Sequence, residues 1–152
     1  MNPPKVTLYT DGASSGNPGP GGYGAVLISG KYRKELSEGF KTTTNNRMEL
    51  LGVISGLEAL KIENCDVTVY SDSKYVVDAV KKGWLFGWVK KGFKGKKNID
   101  LWKRFLVVYK KQNVNFIWVK GHANVPENER CDQLAVEASH SPDRKTDLGF
   151  PG

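Results

Sequence analysis

Apolar residues recur at two different spacings in this chain, and the order of the two spacings limits the folds that it can adopt. From Lys5 to Asp11 the side chains alternate, with Val6 and Leu8 on one face, as in a half-buried strand. From Asn46 to Lys61 apolar residues recur at intervals of three, as on a helix. Strands followed by helix, strand, helices, strand and helix indicate an α/β fold with a mixed sheet.

The other predicted elements follow from the same patterns. The stretch Gly12–Gly22 is predicted to be a loop, because its glycine and proline density disfavours regular structure. Two strands that turn near Gly30 then complete an antiparallel meander. The predicted strands are Tyr23–Ser29, Lys34–Lys41, Asp66–Asp72 and Val114–Val119, and the predicted helices are Ser73–Lys82, Ile99–Lys111 and one opening at Pro126.

Length and composition place the chain among single globular domains. Its 152 residues suit one domain, expected over residues 1–140, with residues 141–152 as a flexible C-terminal tail. No apolar run approaches the length of a membrane span and no signal peptide precedes the first strand, so a cytoplasmic protein without a membrane is expected. Cys65 and Cys131 are therefore expected to be free thiols.

The charge of the chain favours a polyanionic partner. Lysine and arginine number 23 against 16 acids, a formal charge of +7. The segment from Lys81 to Lys97 contains no acidic residue, and its lysines are interleaved with aromatic residues: Trp84, Phe86, Trp88 and Phe93. This stretch is predicted to be a nucleic-acid surface, and the competing interpretation is a solvated basic loop.

Two common small-ligand sites are disfavoured. The pattern Gly19-x-Gly21-x-x-Gly24 formally matches a dinucleotide fingerprint, but it contains Pro20, precedes a strand and opens no helix. The sequence also lacks the Cys-x-x-Cys pair and the suitably spaced histidines that a zinc site would need. An unrelated α/β enzyme with a small-molecule substrate is therefore a weak alternative.

Four acids occupy positions from which they could converge. Asp11 and Asp72 end predicted strands, Glu49 lies near a helix start, and Asp132 borders the apolar stripe of the last helix. Spacing alone does not exclude the alternative that each of the four acids forms an unrelated salt bridge with a nearby lysine or arginine. The motifs around them decide the matter, and in this order over about residues 5 to 140 they resemble type I ribonuclease H: Tyr9-Thr10-Asp11-Gly12, Thr44-Asn45-Asn46-Arg47-Met48-Glu49-Leu50, Ser71-Asp72-Ser73, Trp118-Val119-Lys120-Gly121-His122-Ala123 and Asn128-Glu129-Arg130-Cys131-Asp132.

The resemblance implies a ribonuclease H-like fold, a mixed sheet of about five strands in which a meander is followed by parallel strands, flanked by helices. It implies an endonuclease that cuts the RNA strand of RNA/DNA hybrids and leaves a 5′ phosphate and a 3′ hydroxyl. Asp11, Glu49, Asp72 and Asp132 are implied to be catalytic and to bind two ions, Mg²⁺ or alternatively Mn²⁺. Such carboxylates repel one another, so at least one should have a raised pKa without metal. His122 is implied to handle a proton or product release.

The resemblance also distributes the substrate contacts within a monomer that binds an RNA/DNA hybrid. The Gly12–Asn17 loop, which includes Asn17, is expected near the RNA strand together with Asn46 and Lys74, although Lys74 stands where glutamine is common. Asn45 is also expected to contact the substrate. The DNA strand is expected at Thr44 and Asn98, at Trp84, and at a basic protrusion formed by Lys90, Lys91, Lys94, Lys96 and Lys97. Two alternatives remain: a module that binds hybrid or double-stranded RNA without cutting, and a DNA-directed nuclease of the same superfamily.

Overall fold

The structure, a computed structural model, describes residues 3–121 and 125–150. One sheet has the order β3-β2-β1-β4-β5; β1, β2 and β3 are antiparallel neighbours, whereas β4 runs parallel to both β1 and β5. The predicted α/β fold with a mixed sheet is therefore confirmed. The elements are β1 Lys5–Ser14, β2 Gly19–Ser29, β3 Tyr32–Thr43, α1 Asn45–Glu58, β4 Asp66–Ser71, α2 Lys74–Lys81, α3 Trp84–Lys90, α4 Ile99–Tyr109, β5 Asn113–Trp118 and α5 Pro126–Ser139.

The glycine-rich stretch after Asp11 is mostly strand, so the predicted loop over Gly12–Gly22 is wrong. Strand β1 continues to Ser14, and β2 already begins at Gly19. The two strands pair up to Ser14 opposite Gly21. Asp11 consequently lies within a paired strand and not at its end.

Close packing of α5 on β2 explains why glycines occur in this strand. A Cβ atom at Gly22 would lie 2.6 Å from the main-chain oxygen of Ala135, and one at Gly24 would lie 2.3 Å from that of Cys131. Both distances are shorter than non-bonded atoms tolerate. The glycines here serve helix–sheet contact, which a local count of glycine and proline mistakes for a loop signal.

Helix α1 crosses the sheet over β1 and carries most of its residues into the core. Its N-cap is Thr44, whose side-chain oxygen accepts the Arg47 N–H at 3.3 Å. A Cβ at Gly12 would come within 2.5 Å of the Glu49 nitrogen, so the helix start sits directly on β1. This contact places Glu49 next to the strand that carries Asp11.

The basic segment between α2 and α4 contains the helix α3, which the sequence patterns did not predict. Only part of its aromatic content faces solvent. Phe93 is buried, and Trp88 packs edge-on against Trp102 with ring centroids 5.7 Å apart. Trp84 and Phe86 remain exposed. Two of the four aromatic residues that suggested a stacking surface therefore belong to the core.

Residues after α5 pack against the domain. Lys145 forms main-chain hydrogen bonds with Gly39 and Lys41, each 2.8 Å long. Asp147 is buried, and the Thr43 hydroxyl donates to it at 2.7 Å. This arrangement differs from the flexible tail expected beyond residue 140, because a carboxylate that faces a buried arginine on α1 anchors the segment.

Two smaller predictions can also be compared with the structure. Cys65 and Cys131 are both free and buried, which confirms the predicted packed thiols. In the part of the chain that the structure describes, none of the helices has the length and apolar character needed to cross a bilayer.

Candidate metal centre

Two neighbouring strands bring acidic side chains to one edge of the sheet. Strands β1 and β4 run parallel with Tyr9 opposite Tyr70, so Asp11 and Asp72, two residues further along each chain, come to the same edge. Glu49 reaches this edge from α1. One carboxylate oxygen from each of Asp11, Glu49 and Asp72 lies within 4.8 Å of the other two. The structure thus brings together three of the four acids singled out from the sequence.

Asp132 lies on α5 at the border of this acidic group. It lines the same clefts as Asp11 and Asp72, and its charge raises the pKa of Asp11. Among the described residues, Asp132 is not one of the acids whose carboxylate oxygens all lie within 4.8 Å of one another. Asp132 therefore shares the cleft while standing slightly apart from the other three carboxylates.

The backbone of Gly12 orients two of the carboxylates. Its N–H donates to Glu49 Oε1 at 2.6 Å and to Asp11 Oδ1 at 2.9 Å. Glu49 is only 3 % exposed, and its second oxygen, Oε2, is buried without a hydrogen-bond partner among the residues that the structure describes. A buried oxygen left in this state costs about 1–3 kcal/mol, so Glu49 needs a further partner.

The acidic group is electrostatically unfavourable by itself. Burial, reinforced by the facing charges of Asp72 and Asp132, raises the pKa of Asp11 to about 7, although the neighbouring Glu49 carboxyl and the hydrogen bond from the Gly12 N–H oppose the shift. Burial and the charge of Asp11 hold the pKa of Glu49 well above its ordinary value. The expectation of at least one raised carboxyl pKa is confirmed, and a bound cation would relieve the repulsion.

The donor set fits a divalent cation of the magnesium type. All of the clustered ligands are carboxylate oxygens, which Mg²⁺ and Mn²⁺ prefer over the sulfur and imidazole donors typical of zinc. The unpartnered Glu49 Oε2 points to the same need for a positive ligand. Asp11, Glu49 and Asp72 could therefore hold such an ion.

Polar side chains predicted to contact the substrate stand at the rim of this cleft. Asn45, Asn46 and Lys74 line it together with the acidic residues. Asn17, in the link between β1 and β2, accepts a hydrogen bond from the Asn45 main chain at 3.1 Å. The structure therefore places Asn45, Asn46 and Lys74 beside the carboxylates, and Asn17 beside Asn45.

The predicted DNA-strand contacts at Thr44 and Asn98 are joined through Arg47. Thr44 caps the Arg47 N–H, and the guanidinium donates to the Asn98 side chain at 3.3 Å. Asn98 adopts a left-handed conformation with φ of 61°, and its amide also donates to the Tyr75 hydroxyl at 3.0 Å. Both ends of the Asn98 amide are thus fixed.

The remaining predicted contacts are spread over the basic segment. Trp84 is 49 % exposed, with the Lys82 ammonium 5.2 Å from its ring centroid. The protrusion lysines are all exposed, and the structure does not bring them to the carboxylates: Lys90, Lys91, Lys94, Lys96 and Lys97. His122 lies outside the described residues.

Some residues that shape this region had no predicted role. Arg47 is 1 % exposed and bonds to Asp100 and Asp147, while Trp118 contacts both the Asp72 backbone and the Lys74 ammonium. The role of Arg47 had one local signal in the sequence, because an arginine within a mostly apolar helix requires buried acidic partners. No local signal names those partners, because Asp147 is 100 residues away in sequence.

The fold and the site define a class of enzyme domain, in which carboxylates brought together at one end of a mixed sheet could hold divalent cations. Comparisons with known proteins make this specific. A family model described as RNase H matches residues 3–140. The ribonuclease H of Syntrophus aciditrophicus (strain SB) is 54 % identical over 152 residues, which cover 97 % of this chain and 87 % of the relative. This chain therefore belongs to the RNase H family, as its motifs indicated.

Solved structures agree with this assignment. The crystal structure of LC9-RNase H1, a type 1 RNase H with the type 2 active-site motif, superposes with a TM-score of 0.82 at 31 % identity, covering 91 % of this chain and 74 % of that one. The crystal structure of LC11-RNase H1 in complex with an RNA/DNA hybrid has a TM-score of 0.65 at 26 % identity and covers 88 % of this chain and 95 % of that one.

Proposed function

We propose that this chain is an endonuclease that hydrolyses the RNA strand of RNA/DNA hybrids with two divalent metal ions, Mg²⁺ or Mn²⁺, held by Asp11, Glu49, Asp72 and Asp132. The observation that carries the proposal is the convergence of three buried or half-buried carboxylates from three separate elements within 4.8 Å. Membership of the RNase H family and the hybrid bound by LC11-RNase H1 support the choice of substrate.

Each acidic residue has a definable task in this reaction. Neighbouring strands fix Asp11 and Asp72 at one edge, and the Gly12 N–H holds Glu49 Oε1 so that Oε2 is left for an ion. Divalent ions held by these carboxylates would supply positive charge that polarises the scissile phosphate and makes the attacking water easier to deprotonate. The water oxygen forms a bond to phosphorus as the bond to the 3′ oxygen breaks, and that oxygen takes up a proton. The products are a 5′ phosphate and a 3′ hydroxyl.

Substrate recognition is proposed to divide between the two strands. Asparagine amides can both donate to and accept from a ribose 2′ hydroxyl. We assign this contact with the cut strand to Asn45 and Asn46, which line the cleft, and to Asn17, which is hydrogen-bonded to the Asn45 main chain. On the DNA side we assign phosphate contacts to Thr44 and Asn98. Trp84 and the exposed protrusion lysines extend that side: Lys90, Lys91, Lys94, Lys96 and Lys97.

Three finer points belong to the same proposal. His122, the residue after Gly121 in the sequence, is assigned to proton transfer or product release. The chain is proposed to act as a monomer, because all four acidic ligands come from one chain. It is proposed to work in the cytoplasm, where RNA/DNA hybrids arise in cells without a nucleus.

Cleavage of matched duplexes tests the proposal. Labelled RNA/DNA, DNA/DNA and RNA/RNA duplexes of one sequence are incubated with the protein, with Mg²⁺ or with chelator. Only the RNA strand of the hybrid should be cut, and only with metal. Cutting of DNA/DNA would instead favour a DNA-directed nuclease, and tight hybrid binding without any cutting would favour a binding module.

A further inference from the structure

Trp118 connects a proposed metal ligand with a cation at the rim of the cleft. It is the last residue of β5, and its side chain is 42 % exposed. The indole N–H donates to the main-chain oxygen of Asp72 at 3.0 Å. The Lys74 ammonium lies 4.9 Å from the centroid of the same ring system. One rigid side chain therefore contacts both residues through different groups.

Two opposed electrostatic influences act on Lys74: the start of a helix disfavours a cation, whereas the acidic cleft attracts one. Lys74 is the first residue of α2, and a cation at a helix N-terminus costs about 0.3–1 kcal/mol at an exposed site. Four carboxylates line the cleft beside it. Within the described part of the chain, however, Lys74 forms none of the salt bridges. The folded chain thus leaves this ammonium without an anionic partner.

The indole ring accounts for where the ammonium stands. A cation over the face of a tryptophan is attracted by about 0.5–1 kcal/mol at an exposed site. This attraction fixes the direction of the lysine side chain, but it does not use the directional N–H bonds that a carboxylate or phosphate would accept. Lys74 is therefore held in place with donors still available for an incoming anion.

The anion that fits is a backbone phosphate of the cut strand. Lys74 shares the cleft rim with Asn45 and Asn46, assigned above to the RNA strand. We infer that Trp118 is a positioning residue, which holds the Lys74 ammonium beside Asp72 as the binding group for one phosphate of the RNA strand. The inference rests on the proposed function for the identity of the strand, and on the two Trp118 contacts for the positioning.

Substitutions can separate the two contacts of the indole. Trp118→Phe keeps an aromatic face for Lys74 and removes the N–H donor to Asp72. Trp118→Leu removes both. Lys74→Gln removes the charge and retains a polar side chain. Lys31→Gln is the matched control. Lys31 is an exposed lysine in the β2–β3 turn, at the end of the strands that lies away from the acidic residues.

The experiment measures hybrid binding by fluorescence anisotropy in chelator, and KM and kcat with Mg²⁺, each at several salt concentrations. Lys74→Gln should weaken binding, raise KM and flatten the log–log salt slope by about 0.7–0.9 unit, the value for one lost phosphate contact. Its kcat should change less than about twofold, because uniform binding affects KM. Lys31→Gln should leave the slope unchanged.

The positioning role predicts non-additive effects. Trp118→Leu should flatten the slope in the same direction, Trp118→Phe should restore most of it, and Lys74→Gln combined with Trp118→Leu should be no worse than Lys74→Gln alone. Additive losses, or a phenylalanine variant as poor as the leucine one, would refute positioning by the ring.

An unchanged slope in Lys74→Gln would refute the phosphate contact. If the unmodified protein bound hybrid but did not cut it, the proposed nuclease would fail, while the binding series would still decide on Lys74 and Trp118. Melting temperatures of all the variants, expected within a few degrees of one another, verify that each is folded.

Discussion

Helix α1 carries two buried charged residues two positions apart, and their surroundings are opposite. Arg47 is 1 % exposed and faces the carboxylates of Asp100 and Asp147. Glu49 is 3 % exposed and faces other carboxylates. The guanidinium of Arg47 lowers the pKa of Asp100, whereas burial and Asp11 raise the pKa of Glu49. The chain itself neutralises the charge of Arg47, whereas the carboxylates around Glu49 have no cationic partner within the described residues and could be neutralised by an ion.

This difference separates structure from function on one helix. Arg47 uses its guanidinium in five hydrogen bonds of 2.7–3.3 Å to Asn98, Asp100 and Asp147. A charge network completed within the chain should govern folding, because removing one partner leaves a buried charge unpaired. An uncompensated cluster should govern activity, and its neutralisation should not destabilise the metal-free protein.

The largest expected effect comes from the uncompensated cluster. Asp72→Asn keeps the shape of the side chain and removes one ligand charge, so hybrid cleavage in Mg²⁺ should fall by about 10³-fold or more, since several kcal/mol of metal-dependent stabilisation is lost. The melting temperature in chelator should not decrease. Asp66→Asn, at the other end of β4, is the control and should cut normally. Near-normal cleavage by Asp72→Asn would remove this residue from the site.

The compensated network should respond in stability. Asp147→Ala leaves Arg47 with Asp100 alone, so we expect a loss of about 2–3 kcal/mol, below the usual cost of breaking a buried pair because one partner remains. Urea unfolding measures this loss. Lys145→Ala in the same segment removes an exposed pair with Glu38 and should cost less than about 1 kcal/mol. Equal losses in the two variants would erase the distinction between the regions.

The pH dependence of the metal-free protein sharpens the comparison further. The pKa of Asp11 is raised from 3.8 to about 7. A carboxyl whose folded pKa exceeds its unfolded value contributes stability that is complete below the unfolded pKa and is lost as the pH rises through the folded one. In chelator, stability should therefore decline between these two values. Asp11→Asn should flatten the decline and gain several degrees of Tm at pH 7, at roughly 2–4 °C per kcal/mol.

Thermal melts of both proteins from pH 4 to pH 8, with chelator and with Mg²⁺, provide the measurement. Mg²⁺ should stabilise the unmodified protein most at high pH, where its ligands are ionised. Parallel curves for the two proteins in chelator would show that Asp11 carries no repulsion.

The smallest expected effect concerns positive charges that the chain also leaves uncompensated. Replacing Lys90, Lys91, Lys94, Lys96 and Lys97 by alanine should raise KM and flatten its salt dependence by about 0.9 log–log unit per lost phosphate contact, with kcat and Tm little changed. Five exposed lysines at the opposite edge of the sheet are the control: Lys5, Lys31, Lys61, Lys110 and Lys111. Equal slopes in both variants would reduce the protrusion to a solvated loop.

The sequence predicted those parts of the molecule that depend on local pattern. The alternation around Val6 and Leu8 and the threefold spacing on α1 predicted strand and helix, and each matches the structure within a few residues at the ends. The motifs around Asp11, Glu49 and Asp72 predicted a cluster, and the three carboxylates do meet. In both cases the signal lies within a few residues of the feature.

Features that depend on distant contacts were not predicted. Gly22 looks like a loop residue until α5, more than 100 positions later, is placed against it. Helix α3 contains Gly87 and spans only seven residues, so periodicity cannot reveal it. Asp147 has no local pattern at all, since its role depends on an arginine on another element.

The contacts of Asp147 bear on where this domain can be shortened or joined to other proteins. Residues 3–140 match the family model, so a recombinant fragment ending at residue 140 would contain the whole of that match. Such a fragment would lose Asp147 and the Lys145 main-chain pairing, and Arg47 would face a buried site with half of its acidic partners. A carboxypeptidase that removed the same residues would do equal damage. Linkers and affinity tags should therefore leave residues 141–150 in place.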